Sequence, residues 1–157
     1  DATQLQARLQ AQMRRLAVRS SARNQFAGRV ARLVLGPVSA EVVVALDDAT
    51  QIVAGVTRES ARALGLATGT SVLALVKASS VLLAVGAART SARNALAGTV
   101  SRVVKGAIGA EVTLALPGAR SVTAGITRES LDRLGLAKGR PATALFKASS
   151  VILVALD

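Results

Sequence analysis

The chain contains no cysteine, histidine, tryptophan or tyrosine, and its only aromatic residues are Phe26 and Phe146. Without Cys or His, the sequence excludes disulfides, thiol catalysis, imidazole acid–base chemistry and the usual zinc sites. Aromatic residues make up 1% of the chain and hydrophobic residues 51%, so the core has to be built from Val, Leu, Ile and Ala. No nucleophile–base pair can be assembled from the residues present, and we therefore expect a protein that is not an enzyme.

Long apolar stretches are also missing. No run reaches the roughly 18 residues that a membrane-spanning helix needs. Charged residues interrupt positions 1–19, where a signal peptide would require an apolar segment. The sequence predicts a soluble, cytoplasmic protein with no membrane partner.

Acidic residues are few: nine Asp and Glu stand against 20 Lys and Arg, which gives a net charge of +11. Such an excess attracts anions, whether nucleic acid, acidic lipid or a small oxyanion. Arginines on solvated faces, encoded by a GC-rich genome, explain the same excess. A nucleic-acid-binding barrel is a weaker alternative, because stacking aromatics are absent and the basic residues do not cluster beyond Arg14-Arg15.

The chain is an internal duplication. Residues 20–85 and 90–155 align without a gap, and more than half of the aligned positions are identical. This predicts an N-terminal helix over 1–19, a first domain over 20–85, a short linker over 86–89 and a second domain over 90–157. Domains of this size bury a small core, so we expect oligomerisation to contribute to their stability.

Each repeat reads as short strands separated by turn signals, with one short helix that opens at Thr57 in the first copy and stops at Gly65. The predicted strands of the first repeat are Phe26–Leu35, Ser39–Leu46, Gln51–Val56, Ser71–Val76 and Val81–Val85. The predicted fold is all-β, with two tandem five-stranded barrels of the oligonucleotide/oligosaccharide-binding (OB) type. An amphipathic helix precedes them over 2–18, where Leu5, Leu9, Met13 and Leu16 form a narrow stripe suited to a partner helix.

The polar residues that both repeats share are mainly hydrogen-bond donors. Hydroxyl, guanidinium and ammonium groups recur at one offset, whereas shared carboxylates are few. Such a set suits an anion and cannot ligate a cation. Each residue also has a structural explanation: Ser21 and Asn24 as turn residues, Thr57 as a helix cap, and Lys77 as a solvated charge at a strand end. Recurrence of the whole set favours a binding site for a tetrahedral dianion.

Three motifs in fixed order resemble a known family. Ser-Ala-Arg-Asn followed by Gly, a Thr-opened helix ending in Leu-Gly-Leu-x-x-Gly, and Lys-Ala-Ser before a last strand are similar to the molybdate-binding Mop (TOBE) domain of molbindins. Two copies resemble a tandem di-Mop unit. The resemblance implies an oxyanion site between protomers whose residues are Ser21, Ala22 (main chain), Arg23, Thr57, Lys77, Ala78 and Ser79, with Ser91, Ala92, Arg93, Thr127, Lys147, Ala148 and Ser149 in the second repeat.

The same resemblance implies the ligand and leaves the biological role open. Family members bind molybdate and usually tungstate by hydrogen bonds and charge, without a cofactor, a metal cation or covalent chemistry. Residues 2–18 are similar to the linker helix of molybdate-responsive transcription regulators, and a chain beginning at Asp1 without Met fits a fragment of one. We expect the effector-binding half of such a regulator, a dimer that contacts DNA only through an N-terminal domain absent from this chain. The alternative is a free-standing molbindin for molybdate storage, a trimer.

Overall fold

The computed structural model describes residues 1–8 and 19–156, and the first helix, α1, spans residues 2–8. The predicted N-terminal helix is confirmed over this part, whereas Leu9, Met13 and Leu16 lie outside the described residues. The Gln6 side chain donates from Nε2 to the Leu46 carbonyl oxygen at 2.6 Å, which ties α1 to the first repeat. Within the described residues, no helix is both long enough and apolar enough to cross a membrane.

Ten strands and two further helices follow, and they confirm the predicted all-β fold with one short helix in each repeat. The first repeat contains β1 (Asn24–Leu35), β2 (Ser39–Ala45), β3 (Gln51–Thr57), α2 (Arg58–Ala63), β4 (Ser71–Val76) and β5 (Leu82–Ala84). The second contains β6 (Asn94–Lys105), β7 (Gly109–Leu116), β8 (Arg120–Thr127), α3 (Arg128–Leu134), β9 (Pro141–Phe146) and β10 (Ile152–Ala155). A 3-10 turn precedes the last strand of each repeat, at Ala78–Ser80 and Ala148–Ser150.

The strands form two five-stranded sheets that exchange their last strands. One sheet has the order β10-β4-β1-β2-β3 and the other β5-β9-β6-β7-β8. The chain accordingly divides into two compact units. Unit 1 is Asp1–Leu75 with Ala148–Asp157, and unit 2 is Val76–Lys147. The compact units therefore do not coincide with the repeats at 20–85 and 90–157 that the sequence indicates.

The exchanged strand pairs in the same register in both sheets. Leu82 of β5 pairs with Leu145 of β9, and Ile152 of β10 pairs with Leu75 of β4. These are equivalent positions of the duplication, so each sheet accepts the foreign strand in one register. The 3-10 turns contain no glycine, and no residue of either turn has a positive φ. Neither turn therefore has the backbone conformation of a two-residue hairpin, and the chain leaves β4 and β9 without folding back on them.

Alternating burial places the core on one face of each sheet. In β2, Ala40, Val42 and Val44 are buried while the residues between them are partly exposed. The long strand β1 has a register shift between Val30 and Arg32, and β6 has the same irregularity between Val100 and Arg102. A bulge of this kind bends the strand and increases its twist, which curls the sheet.

Candidate functional site

The Ser-Ala-Arg-Asn motifs stand directly before the long strands β1 and β6. Their last residues, Asn24 and Asn94, begin these strands and are buried, with 4% and 2% exposure. The preceding residues Arg23 and Arg93 are exposed. The buried amide thus anchors the motif, and alternation along the strand presents the guanidinium at the surface.

The main-chain donors predicted in these motifs are already engaged. The Ala22 amide donates to Ser20 Oγ at 3.0 Å, and the Ala92 amide donates to Thr90 Oγ1 at 3.2 Å. An incoming anion would have to share or replace these bonds to use the alanine N–H groups. The hydroxyls of Ser21 and Ser91 and the arginine side chains lie on exposed residues.

Thr57 and Thr127 cap the helices α2 and α3, as the sequence predicts. Each threonine Oγ1 accepts a 3.0 Å bond from the backbone N–H three residues later, on Ser60 and Ser130. Each also donates to the hydroxyl of that serine at 2.8 Å. The helix start therefore presents a pair of hydroxyls in each unit, and both threonines are exposed.

The 3-10 turns that carry the predicted Ala-Ser residues lie on the other repeat's third strand. A Cβ placed on Gly55 of β3 would be 3.6 Å from the Ser149 nitrogen, and one placed on Gly125 of β8 would be 3.8 Å from the Ser79 nitrogen. Gly55 and Gly125 stand two residues before the capping threonines, about 7 Å along an extended strand. The strand exchange therefore groups Thr57 with Ser149 and Thr127 with Ser79.

Two predicted cations meet at one end of the second sheet. Asn94 of β6 pairs with Phe146 of β9. Arg93 precedes this pair and Lys147 follows it, so the two residues stand at the same end of the sheet. Both residues are exposed. Two cationic residues at one sheet end favour an anion there.

The two units divide the predicted residues differently from the two repeats. Unit 1 contains Ser21, Ala22, Arg23, Thr57, Ala148 and Ser149. Unit 2 contains Lys77, Ala78, Ser79, Ser91, Ala92, Arg93, Thr127 and Lys147. All the hydroxyl- and cation-bearing members are exposed and the alanines are partly buried. Such shallow donor loops suit a site that a second surface closes.

Sequence reasoning assigned no role to Ser60 and Ser130, whose hydroxyls the structure joins to those of the capping threonines. The available signal was the spacing of three residues in Thr-Arg-Glu-Ser, which brings two side chains to one end of a short helix. The part of the chain that the structure describes holds no group of three or more His, Cys, Asp or Glu residues that could bind a metal ion. The residues predicted for the site carry hydroxyl, guanidinium and ammonium groups.

Fold and donor loops together define a class: a tandem pair of small OB-like units that display matched donor sets at strand ends. The model of the TOBE domain matches this chain twice, over residues 20–83 and 90–153. The chain belongs to the TOBE domain family.

Named relatives agree with this assignment. The chain is 44% identical over 143 residues to the molybdenum transport protein ModE of Herbaspirillum seropedicae, a match that covers 90% of this chain and 53% of ModE. It is 49% identical over 140 residues to the molybdenum-pterin-binding protein MopA of Rhodobacter capsulatus, covering 88% of this chain and 53% of MopA. The chain thus spans about half the length of the curated relatives it matches.

A solved structure is similar over nearly its whole length. It is a crystal form of the cytoplasmic molybdate-binding protein ModG with molybdate bound. The TM-score is 0.85 at 48% sequence identity, and the match covers 88% of this chain and 99% of ModG. The tandem arrangement of OB-like units is therefore the fold of a known molybdate-binding protein.

Proposed function

We propose that this chain binds molybdate, and also tungstate, as an intact oxyanion at sites closed between protomers of a homo-oligomer. The observation that carries the proposal is the presence of the complete donor set in both repeats of a chain that is 48% identical to molybdate-bound ModG. Charge-assisted hydrogen bonds from Arg and Lys, with hydroxyls from Ser and Thr, match the four oxygens and double charge of such a ligand. Binding needs no covalent step, no cofactor and no metal cation.

The proposed biological role is effector sensing in a molybdate-dependent transcription regulator. Its supports are the similarity to ModE and the helix α1 before the first repeat. Molybdate between protomers would favour one relative arrangement of the subunits by its difference in affinity for the two arrangements. That preference would reach a DNA-binding domain outside this chain through the N-terminal helix.

Storage by a free-standing cytoplasmic molbindin is the second candidate. The similarity to ModG, a cytoplasmic molybdate-binding protein, supports it, with 48% sequence identity and a TM-score of 0.85. Titration of a variant that lacks residues 1–19 separates the two roles. If the role is storage, the truncated variant should bind molybdate with the affinity and stoichiometry of the parent chain. If the role is effector sensing, ligand binding is coupled to the N-terminal helix, and the truncated variant should differ from the parent chain in molybdate affinity.

Isothermal titration with molybdate tests the site itself. We expect Arg23→Ala and Lys77→Ala each to weaken binding at least tenfold, about 1.4 kcal/mol, because a charged donor is lost. Arg29→Ala is the matched control, since Arg29 is an exposed arginine of β1 outside the donor set. Equal losses in all three variants would mean that net charge alone attracts the ligand, and no loss in Arg23→Ala and Lys77→Ala would refute the assigned site.

A further inference from the structure

Unit 1 contains a groove that borders the predicted donor set at Thr57. It lies between the β1–β2 hairpin tip and helix α2, has a volume of about 400 Å³, and is lined by Pro37, Val38, Thr57, Arg58, Glu59 and Arg62. We call it the Arg62 groove. Thr57 is its one residue in common with the proposed oxyanion set.

Backbone and side-chain hydrogen bonds hold the walls of the Arg62 groove in place. The Arg58 amide donates to the Val38 carbonyl oxygen at 2.9 Å. The Arg58 guanidinium donates from Nη1 to the Gly36 carbonyl oxygen at 3.0 Å. Both bonds join the helix to the hairpin tip, so the groove exists before any ligand arrives and little ordering is needed on binding.

The lining combines positive charge with an exposed apolar wall. Arg58 and Arg62 against Glu59 leave one net positive charge. Val38 is 77% exposed and stands beside Pro37, so the two residues form an apolar wall open to solvent. The groove is open to solvent, and its volume of about 400 Å³ is larger than a tetrahedral oxyanion requires.

We propose that the Arg62 groove binds a small organic anion in which one phosphate or carboxylate group is attached to an apolar body. The Arg62 guanidinium would hold the anionic group, since its planar donors match phosphate and carboxylate oxygens. The apolar body would cover Pro37 and Val38 and remove their surface from water. This site is additional to the proposed oxyanion sites.

The second repeat provides an internal comparison. The equivalent positions carry Ala107, Ile108, Thr127, Arg128, Glu129 and Asp132. Ile108 keeps the exposed apolar wall at 85% exposure, and Arg128 donates to the Gly106 carbonyl oxygen at 3.3 Å. Asp132, however, replaces Arg62 and forms an ion pair with Arg128, with Oδ2 and Nε 3.5 Å apart. The net charge of these positions becomes negative, so we expect only unit 1 to bind the anion.

Titration of the full chain with 1-naphthyl phosphate tests this assignment. We expect one bound molecule per chain, and at least tenfold weaker binding of both inorganic phosphate and uncharged 1-naphthol at the same site. Arg62→Asp, which copies the second repeat, should weaken 1-naphthyl phosphate at least tenfold. Asp132→Arg, the reverse change, should raise the stoichiometry from one to two.

Both substituted residues are exposed, so the variants should fold, and unchanged circular dichroism checks this. Unaltered 1-naphthyl phosphate binding in Arg62→Asp, or inorganic phosphate binding as tightly as the naphthyl ester at the Arg62-dependent site, would overturn the inference. Molybdate titration of Arg62→Asp should match the parent chain, because Arg62 is outside the donor set. If the parent chain binds 1-naphthyl phosphate but not molybdate, the proposed molybdate-binding function is refuted and the inference about the Arg62 groove stands.

Discussion

The two repeats agree on their exposed donors and differ in how they fill their interiors. The first repeat has Phe26 on β1 and Val76 on β4, whereas the second has Leu96 and Phe146 at the equivalent positions. All four side chains are buried. The phenylalanine therefore stands on the first strand of one repeat and on the fourth strand of the other, whereas the donor residues occupy equivalent positions in both. Cores tolerate such redistribution of volume, whereas a ligand's oxygens require donors at fixed places.

The largest expected effect is on the relocated ring. Phe146 is 1% exposed, and Phe146→Ala should lower the free energy of unfolding by about 3–5 kcal/mol because it leaves a cavity. Urea unfolding followed by circular dichroism measures this. Phe146→Leu, which keeps most of the volume, is the control and should cost less than half as much. A cost for Phe146→Ala well below this range would show that the ring is not tightly packed.

A second difference is a polar pair in place of an apolar one. Thr113 Oγ1 and Thr123 Oγ1 are 2.9 Å apart and hydrogen-bonded, and these residues pair across β7 and β8. In the first repeat, Val43 and Val53 pair at the equivalent positions. Thr113→Val alone should lower the free energy of unfolding by about 1 kcal/mol, because it removes the hydrogen bond between the two hydroxyls.

The double variant Thr113→Val/Thr123→Val sharpens this comparison. It reproduces the valine pair of the first repeat and should recover most of the stability that the single variant loses, because both hydroxyls are replaced by an apolar pair that these strand positions already accept there. Thermal and urea unfolding of both variants give the coupling between the two sites. Additive losses would contradict the interpretation.

The helix caps should respond alike in both repeats. Thr57→Ala and Thr127→Ala each remove the side chain that accepts from the backbone N–H of Ser60 or Ser130, at a cost of about 1 kcal/mol. Thr57→Ser should preserve both the cap and the molybdate affinity. If Thr57→Ala lowers stability but leaves the molybdate isotherm unchanged, the threonine is a cap and not a ligand-binding residue.

The smallest expected effect is at the turn after the second strand of each repeat. Asp47 Oδ1 accepts from the amides of Ala49 and Thr50 at 2.8 and 2.7 Å. The second repeat replaces this side chain by Pro117 and makes the turn with Gly118 and Ala119 at positive φ. Asp47→Ala should lower the free energy of unfolding by about 0.5–1 kcal/mol, and Asp47→Asn should lower it by much less because the amide oxygen can still accept these bonds. Stability curves from urea unfolding are sensitive enough to rank the two.

The local structure could be predicted from the sequence because it follows from short-range patterns. Alternating apolar residues mark strands such as β2, and Thr57 marks the start of α2. The predicted strand Ser71–Val76 has the observed bounds of β4. The oxyanion residues stay a prediction, although the structure brings Arg93 and Lys147 to one sheet end.

The strand exchange could not be predicted, because the two repeats offer the last strands equivalent partners. Leu82 meets Leu145 in the structure, but Leu75 of its own repeat is the same residue type in the same context. Local propensity and hydrophobic pattern are therefore identical for the exchanged and the unexchanged pairing. The Arg62 groove could not be predicted either, because it is lined by residues of the hairpin tip and of α2 that are separated in sequence.

The exchange also sets the order in which the molecule can be completed during synthesis. Unit 2 is finished once Lys147 has left the ribosome, whereas unit 1 must wait for Ile152–Ala155, although most of it was made first. The half of the chain translated earliest is thus the last to acquire a full sheet. A premature stop at position 148 would leave the later-made half with all of its residues and the N-terminal half with an open sheet edge.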